Sequence, residues 1–243
     1  MPDSITFLGT SDGLPSPDRL HASILVRLAG KTILLDAGEP CAHTLKRRGV
    51  DFDSVDAIFI THMHSDHIGG LPMLLQSMWL EQRRRPLTIF MPAKAIAPFR
   101  RWLQHCLLDE RRFGYRIHWK PVKPVMRAGN IFVRAFRNSH LDKARARYGK
   151  RHPEISFDAF SFVLNKRVAY SGDIGGLDDL TPLLPVEVLI VELAHTKPAE
   201  MFRWLAGKPI GRVLVTHVGR GVKRRSAGKI RFVTDGLCVP LEH

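Results

Sequence analysis

Cysteine is scarce in this chain and is not arranged for cross-linking. The 243 residues contain three cysteines, Cys41, Cys106 and Cys238, and no CxxC pair. This spacing argues against a disulfide framework and against a zinc site built from cysteines. We expect buried or chemically inert thiols.

Long apolar runs are also missing. No run approaches the ~18 apolar residues of a membrane-spanning helix, and the N-terminus has no signal-peptide pattern. We therefore expect a cytoplasmic protein with no membrane partner. The last three residues, Leu241-Glu242-His243, resemble the start of an affinity tag. The prediction is a single domain over residues 1–240, with a tag remnant over 241–243.

Acidic residues are few relative to basic ones. The chain has 23 Asp and Glu against 37 Lys and Arg, which gives a formal net charge of +14. Such a surplus favours anionic partners, either a small molecule or a nucleic acid. A basic, solvated surface without a specific partner is the alternative. The clusters Arg83–Arg85, Arg111-Arg112 and Lys223–Arg225 lack the interleaved aromatics that stack on bases.

Strand-like and helix-like segments alternate in both halves of the chain. Residues 57–60 form a fully apolar strand, and a helix is predicted from Gly69-Gly70 to about Arg84. Residues 143–151 are interpreted as a short basic loop. The pattern predicts an α/β fold with two sheets sandwiched between helices, in four αββα layers.

The strongest motif follows that apolar strand directly. It contains three histidines and one aspartate within six residues: His62, His64, Asp66 and His67. In an extended turn, residues two apart can point the same way, so His62 and His64 can bind one metal. Asp66 and His67 can then face a second metal. Imidazole and carboxylate suit zinc, manganese or iron.

Four neighbouring ligands cannot complete two metal sites, so others must come from later in the chain. Strand ends hold side chains rigidly and are the best places to search. Three residues fit this description: His140, Asp173 and His217. Each alone could be a capping or turn residue, but together with the first motif they complete a set.

The order HxHxDH, His, Asp, His resembles the metallo-β-lactamase superfamily, particularly ribonuclease Z and its smaller phosphodiesterase relatives. The stretches FLGTSDGLP (7–15), LDAGE (35–39) and FITHMHSDHIGG (59–70) carry the likeness. The resemblance implies a four-layer αββα sandwich with two divalent metal ions. Zinc is the expected metal, and manganese or iron are alternatives.

The resemblance also implies a division of the ligands. His62, His64 and His140 would hold one metal, Asp66, His67 and His217 the other, and Asp173 would bridge both. Asp36 would orient a ligand histidine. Enzymes of this fold that cleave β-lactams usually have cysteine where this chain has Asp173, so antibiotic hydrolysis is not the expected activity.

A second cluster, Glu192-Leu-Ala-His195, follows another apolar strand. His195 could protonate the leaving group, with Glu192 orienting it, and Asp66 could act as a proton acceptor. A histidine that caps the helix predicted from Ala199 is the alternative.

These features together predict a binuclear metal-dependent hydrolase. The expected reaction is attack of metal-bound hydroxide on the phosphodiester of a cyclic nucleotide, short oligonucleotide or RNA. The alternatives are a carboxyl-ester, lactone or thioester hydrolase, a tRNA 3′-processing endonuclease, and a non-catalytic nucleic-acid-binding module. Only 32 residues lie between His140 and Asp173, too few for the protruding arm of ribonuclease Z. A homodimer is compatible with the sequence.

Overall fold

The computed structural model describes residues 2–242, so residues 1 and 243 of the predicted domain and tag lie outside the described part. The strands are β1 (Ser4–Gly9), β2 (Ser23–Leu28), β3 (Lys31–Leu35), β4 (Ala57–Phe59), β5 (Leu87–Met91), β6 (Ile117–Pro121), β7 (Val125–Ala128), β8 (Ile131–Asn138), β9 (Ala159–Leu164), β10 (Val168–Tyr170), β11 (Val186–Leu193), β12 (Ile210–Val218), β13 (Ile230–Phe232) and β14 (Cys238–Pro240).

Within residues 2–242, six α-helices and several short 3-10 helices connect the strands. The α-helices are α1 (Cys41–Arg47), α2 (Ser65–Ile68), α3 (Leu71–Leu80), α4 (Ile96–His105), α5 (Asp142–Tyr148) and α6 (Pro198–Leu205). The 3-10 helices are Phe52–Ser54, Ala93–Ala95, Glu110–Arg112 and Leu177–Leu183. None of the helices within residues 2–242 is long and apolar enough to cross a membrane.

The strands form two sheets, with orders β14-β1-β2-β3-β4-β5-β6 and β13-β12-β11-β10-β9-β8-β7. Strands β3 to β6 are parallel, and so are β10 to β13. Strand β8 runs in the same direction as β10, because both pair antiparallel with β9. The C-terminal ends of β8, β10 and β12 therefore lie along one edge of the second sheet.

Apolar side chains fill three layers, and the central strands of each sheet, such as β3, β4, β10 and β11, are buried on both faces. In β3, Ile33 and Leu35 pack between the two sheets, whereas Leu34 packs outward against α1, α3 and α4. Leu189 and Val191 of β11 pack outward on the second sheet, in a cluster with Met201 and Leu205 of α6. This arrangement of helix, sheet, sheet and helix confirms the predicted αββα sandwich.

The local predictions need several corrections. The helix expected from Gly69-Gly70 to about Arg84 is present as α3 but ends at Leu80, and the short helix α2 before it was not predicted. The basic stretch expected as a loop contains α5. The sequence also did not predict β7, β13, β14 or the 3-10 helix Leu177–Leu183. The missed strands are only three or four residues long, too short for a periodic signal.

Two residues that the sequence placed at the surface or in a tag are buried. Arg83, grouped with its neighbours as a basic cluster, is only 2% exposed and donates to the carbonyl oxygens of Val55 at 2.7 Å and Pro86 at 3.0 Å. Leu241 packs between the sheets, and its N–H donates to the carbonyl oxygen of Asp3 at 3.0 Å. The tag interpretation of 241–243 stays a prediction.

Candidate metal centre

The edge of the sandwich brings together all seven predicted metal ligands. The HxHxDH segment follows β4 and continues into the short helix α2, while His140 and Asp173 lie just beyond β8 and β10. His217 lies near the end of β12. Because these strands end at one edge, side chains far apart in sequence face a common point.

The first group consists of His62, His64, His140 and Asp173, whose ligand atoms lie within 4.8 Å of one another. His140 Nε2 is 3.3 Å from His64 Nδ1. Oδ2 of Asp173 is 3.7 Å from His140 Nε2 and 3.9 Å from His62 Nε2. Three imidazoles and a carboxylate oxygen thus surround one point, a donor set that suits a divalent metal ion.

The second group consists of Asp66, His67, His217 and the same Asp173. The other oxygen of Asp173, Oδ1, is 3.2 Å from His67 Nε2 and 3.4 Å from His217 Nε2. Oδ2 of Asp66 is 3.4 Å from His67 Nε2 and 3.6 Å from His217 Nε2. The carboxylate of Asp173 therefore presents one oxygen to each group, as a bridging ligand would.

The chemistry of the donor atoms fits a metal. Among the described residues, His62 Nε2, His67 Nε2 and Asp173 Oδ1 are buried and have no hydrogen-bond partner. A buried polar atom without a partner costs about 1–3 kcal/mol. Unsatisfied lone pairs that converge on two points are a stable arrangement when cations occupy those points.

Asp36 supports the second group from behind. Its Oδ2 is 2.8 Å from His67 Nδ1, which leaves Nε2 of that ring for a metal. Asp36 in turn accepts hydrogen bonds from the Thr61 N–H at 2.7 Å and the Tyr170 hydroxyl at 2.9 Å. The contact that the resemblance implied for Asp36 is present, and the partners that hold it were not predicted.

His217 is the extra residue of a β-bulge. Glu192 pairs with Thr216 and Leu193 pairs with Val218, so His217 has no counterpart on β11. Its φ angle of 46° lies in the left-handed region, which residues other than glycine rarely adopt. Bulges of this kind redirect a side chain and often lie next to active sites.

The packing on either side of the bulge shows what it achieves. Val213, Val215 and Val218 all belong to the apolar cluster on the outer face of the second sheet. The in-and-out alternation of β12 therefore shifts by one residue at His217. Without the shift, the imidazole would face that cluster and not Asp173.

Electrostatics distinguish His67 from His62 and His140. Burial lowers the pKa of His62 well below its usual range, and burial lowers the pKa of His140 to about 4. Both rings are therefore neutral, the form that binds metals. Burial also opposes the charge on His67, but the carboxylates of Asp173 and Asp36 outweigh it and raise the pKa of His67 well above its usual range.

Glu192 and His195 lie beside the first group. Oε1 of the buried Glu192 is 3.2 Å from His195 Nδ1, and Oε2 accepts from the backbone N–H of His195 at 3.0 Å. The His195 ring is 4.7 Å from the His140 ring, and its side chain is 39% exposed. The hydrogen bond with Glu192 raises the pKa of His195. An imidazole with one nitrogen held by a carboxylate and access to solvent can donate a proton.

The alternative interpretation of His195 as a helix cap is wrong. Helix α6 begins at Pro198 rather than Ala199, its N-cap residue is Lys197, and no side chain caps its first turn. The side chain of His195 faces the metal-ligand candidates instead.

A pocket of about 250 Å³ opens over the two groups. One wall consists of predicted site residues, namely His64, Asp66, Asp173, His195 and His217. The lining also includes Asp12, Gly13 and Leu14, from the loop that follows β1. In the sequence this loop carries part of the family resemblance, and its place in the site was not predicted.

The αββα sandwich with two His/Asp groups at one edge defines a metal-dependent hydrolase of the metallo-β-lactamase fold. The family model described as Anti-Pycsar protein Apyc1 matches residues 4–185. This chain belongs to that family.

Sequence relatives lie on the ribonuclease Z branch of the fold. The ribonuclease Z of Methanothermobacter thermautotrophicus is 44% identical over 88 residues, which are 36% of this chain and 29% of that protein. The matched part covers less than half of the length of each such relative, from 29% to 45%. The prediction of a ribonuclease Z-like hydrolase is confirmed at this level.

Solved structures confirm the fold. Human tRNase Z, short form, superposes with a TM-score of 0.76 and 20% identity over 99% of this chain and 100% of that one. The metallo-β-lactamase-fold protein YhfI from Bacillus subtilis also has a TM-score of 0.76, with 18% identity over 98% and 100% of the two chains.

Proposed function

We propose that this chain is a binuclear metal-dependent phosphodiesterase that acts on small diesters, with cyclic nucleotides as the first candidates and short oligonucleotides as the second. The observation that carries the proposal is the orientation of the Asp173 carboxylate. Its two oxygens face two separate ligand groups, each completed by imidazoles or a second carboxylate. Two divalent ions in these positions supply water activation and charge neutralisation at a phosphoryl group.

The proposed ligands are His62, His64, His140, Asp66, His67 and His217, with Asp173 shared. The metal is zinc, for which imidazole and carboxylate are suitable, with manganese or iron as alternatives. Asp66 serves additionally as a proton acceptor at the centre.

His195 is the proposed general acid, and Glu192 is its positioning residue. The bond from His195 Nδ1 to Glu192 leaves Nε2 free to face the pocket. A phosphodiester needs a proton on its leaving oxygen, so an imidazole held at the pocket wall has a clear use. This placement favours a phosphodiester over an activated ester, whose leaving group needs no acid.

Pocket size and surface charge support a small anionic substrate. The cavity of about 250 Å³ is below the usual range for drug-sized ligands, roughly 300–1,000 Å³. The net charge of +14 attracts anions. Between His140 and Asp173 the chain forms only α5, β9 and β10, which leaves no length for a protruding arm. The model of the family to which this chain belongs is described as Anti-Pycsar protein Apyc1, and we propose the same anti-Pycsar role for this chain.

A tRNA 3′-processing endonuclease is the second candidate. The similarity to ribonuclease Z favours it, although the matched region is short relative to those proteins. Cleavage of a precursor tRNA beyond its 3′ end, at a rate above that for any cyclic nucleotide, would replace the first proposal with this one.

The test compares hydrolysis of bis(p-nitrophenyl) phosphate and p-nitrophenyl acetate by protein loaded with zinc or manganese. We expect faster diester cleavage, reduced at least about 1,000-fold in Asp66→Ala because metal catalysis is worth several kcal/mol. His118→Ala, which removes an exposed histidine of β6, is the matched control and should keep full activity. A preference for the acetate would instead support the ester-hydrolase alternative.

A further inference from the structure

The loop Ser11–Asp18 approaches the metal-ligand candidates closely. A Cβ atom built on Gly13 would lie 3.4 Å from Oδ2 of Asp66. Asp12 and Leu14, on either side, line the same pocket. A substrate bound at the metal centre therefore lies beside this loop.

Hydrogen bonds anchor both ends of the loop. The carboxylate of Asp235 accepts from the Thr10 hydroxyl at 2.7 Å and from the Leu20 N–H at 2.6 Å. The guanidinium of Arg19 donates to the carbonyl oxygen of Val218 at 2.8 Å, next to the bulge. The loop is thus tied to the strands that carry the site, and its side chains are held in place before a substrate binds.

Asp12 lines this pocket, and its carboxylate is poorly satisfied. Among the described residues it accepts hydrogen bonds from the Ser11 hydroxyl and the Leu14 N–H, both 3.4 Å long. These distances exceed the usual 2.7–3.2 Å of protein hydrogen bonds. An ionised carboxylate is acceptor-only, so Asp12 has acceptor capacity for O–H or N–H groups of a ligand.

Asp12 is not among the metal-ligand candidates, and its carboxylate does not favour a contact with the anionic phosphoryl group. It repels that group and attracts the uncharged donor groups of the same molecule. A nucleotide has such donors on its ribose and on its base.

We propose that Asp12 is a specificity-determining residue, which accepts a hydrogen bond from the ribose or base of a nucleotide whose phosphodiester lies at the metal centre. This inference rests on the proposed phosphodiesterase function.

The experiment compares two diesters that differ in these donors. Cyclic nucleotides carry a ribose and a base, whereas bis(p-nitrophenyl) phosphate has neither. For Asp12→Ala we expect kcat/KM on cyclic nucleotides to fall about 10- to 100-fold, mainly through KM, the usual effect of losing a bond to a charged group. Activity on bis(p-nitrophenyl) phosphate should stay within about twofold.

Two further variants and a binding measurement sharpen the result. Asp12→Asn keeps the shape and loses the charge, so its effect should be intermediate. Asp18→Asn changes an exposed carboxylate of the same loop outside the pocket, and it should not alter kcat/KM on either substrate. Calorimetric binding of the nucleoside monophosphate product should weaken in Asp12→Ala by the same factor as KM rises.

The outcomes separate the inference from the function on which it rests. Equal losses on both substrates, or no loss on either, would overturn the role of Asp12 and leave the phosphodiesterase proposal standing. A wild-type enzyme that cleaves neither diester would overturn both. Thermal unfolding of each variant identifies any loss that comes from misfolding.

Discussion

The two groups of metal-ligand candidates share Asp173 but differ in depth and in support. Every member of the second group is buried, whereas His64 of the first group is exposed and His140 is half-buried. In the second group, His67 is held by Asp36, which is itself fixed by backbone and side-chain donors.

This difference indicates that the two ligand groups have different roles within one pocket. The buried group is shaped in advance by a chain of hydrogen bonds, which raises ligand basicity and fixes ring orientation. The open group lies beside His195 and faces solvent, where a substrate enters. We expect the buried group to bind its metal more tightly and the open group to exchange its metal more readily.

The largest effect should come from Asp173→Ala, which removes an oxygen from both groups at once. We expect loss of bound metal at both positions and a fall in diester hydrolysis of at least about 1,000-fold. Metal content by plasma mass spectrometry and the hydrolysis rate measure the two effects. Retention of both metals would contradict a bridging role.

A pair of histidine variants tests the difference in depth directly. His64→Ala should keep about one metal ion per chain after dialysis and lose on the order of 100-fold in activity. His67→Ala should lose the tightly bound ion, because it removes a ligand together with its support from Asp36. Equal metal retention in the two variants would show that the groups are equivalent.

The smallest effect should come from Tyr170→Phe, which removes one donor to Asp36 and keeps the ring in the inter-sheet core. Burial raises the pKa of Tyr170 well above its usual range, so its hydroxyl remains a donor at all working pH values. We expect the free energy of unfolding in urea to fall by about 1.5–3 kcal/mol.

The same variant should lower the affinity of the buried ligand group for its metal ion by less than about tenfold, because the contacts of Asp36 with Thr61 and His67 remain. Tyr148→Phe, at an exposed tyrosine, is the matched control and should change stability by no more than about 0.5 kcal/mol. A stability loss shared by both variants would argue against the contribution of the Asp36 contact.

The sequence predicted the candidate ligands because their signals are local. His62 and its neighbours lie within six residues, and the remaining candidates follow apolar strands that end at one edge. The sandwich was predictable for the same reason, since strands buried on both faces read as apolar runs.

The features that were missed depend on contacts between distant residues. The loop that carries Asp12 is placed by Asp235, more than 200 residues away. Arg83 lies in a basic run, and only the fold shows that its guanidinium donates hydrogen bonds to backbone carbonyl groups. The interior of helix α5 consists of the good helix formers Lys, Ala and Arg without an apolar stripe, so no hydrophobic periodicity predicted this helix.

The bulge at His217 also has a consequence for engineering. One extra residue shifts the phase of β12, so every position beyond it points to the face opposite to the one that uniform alternation would assign. A designer who copied the ligands onto a regular strand would aim this imidazole at the apolar layer. Transplanting the centre into another scaffold therefore requires the inserted residue as well as the ligand side chains.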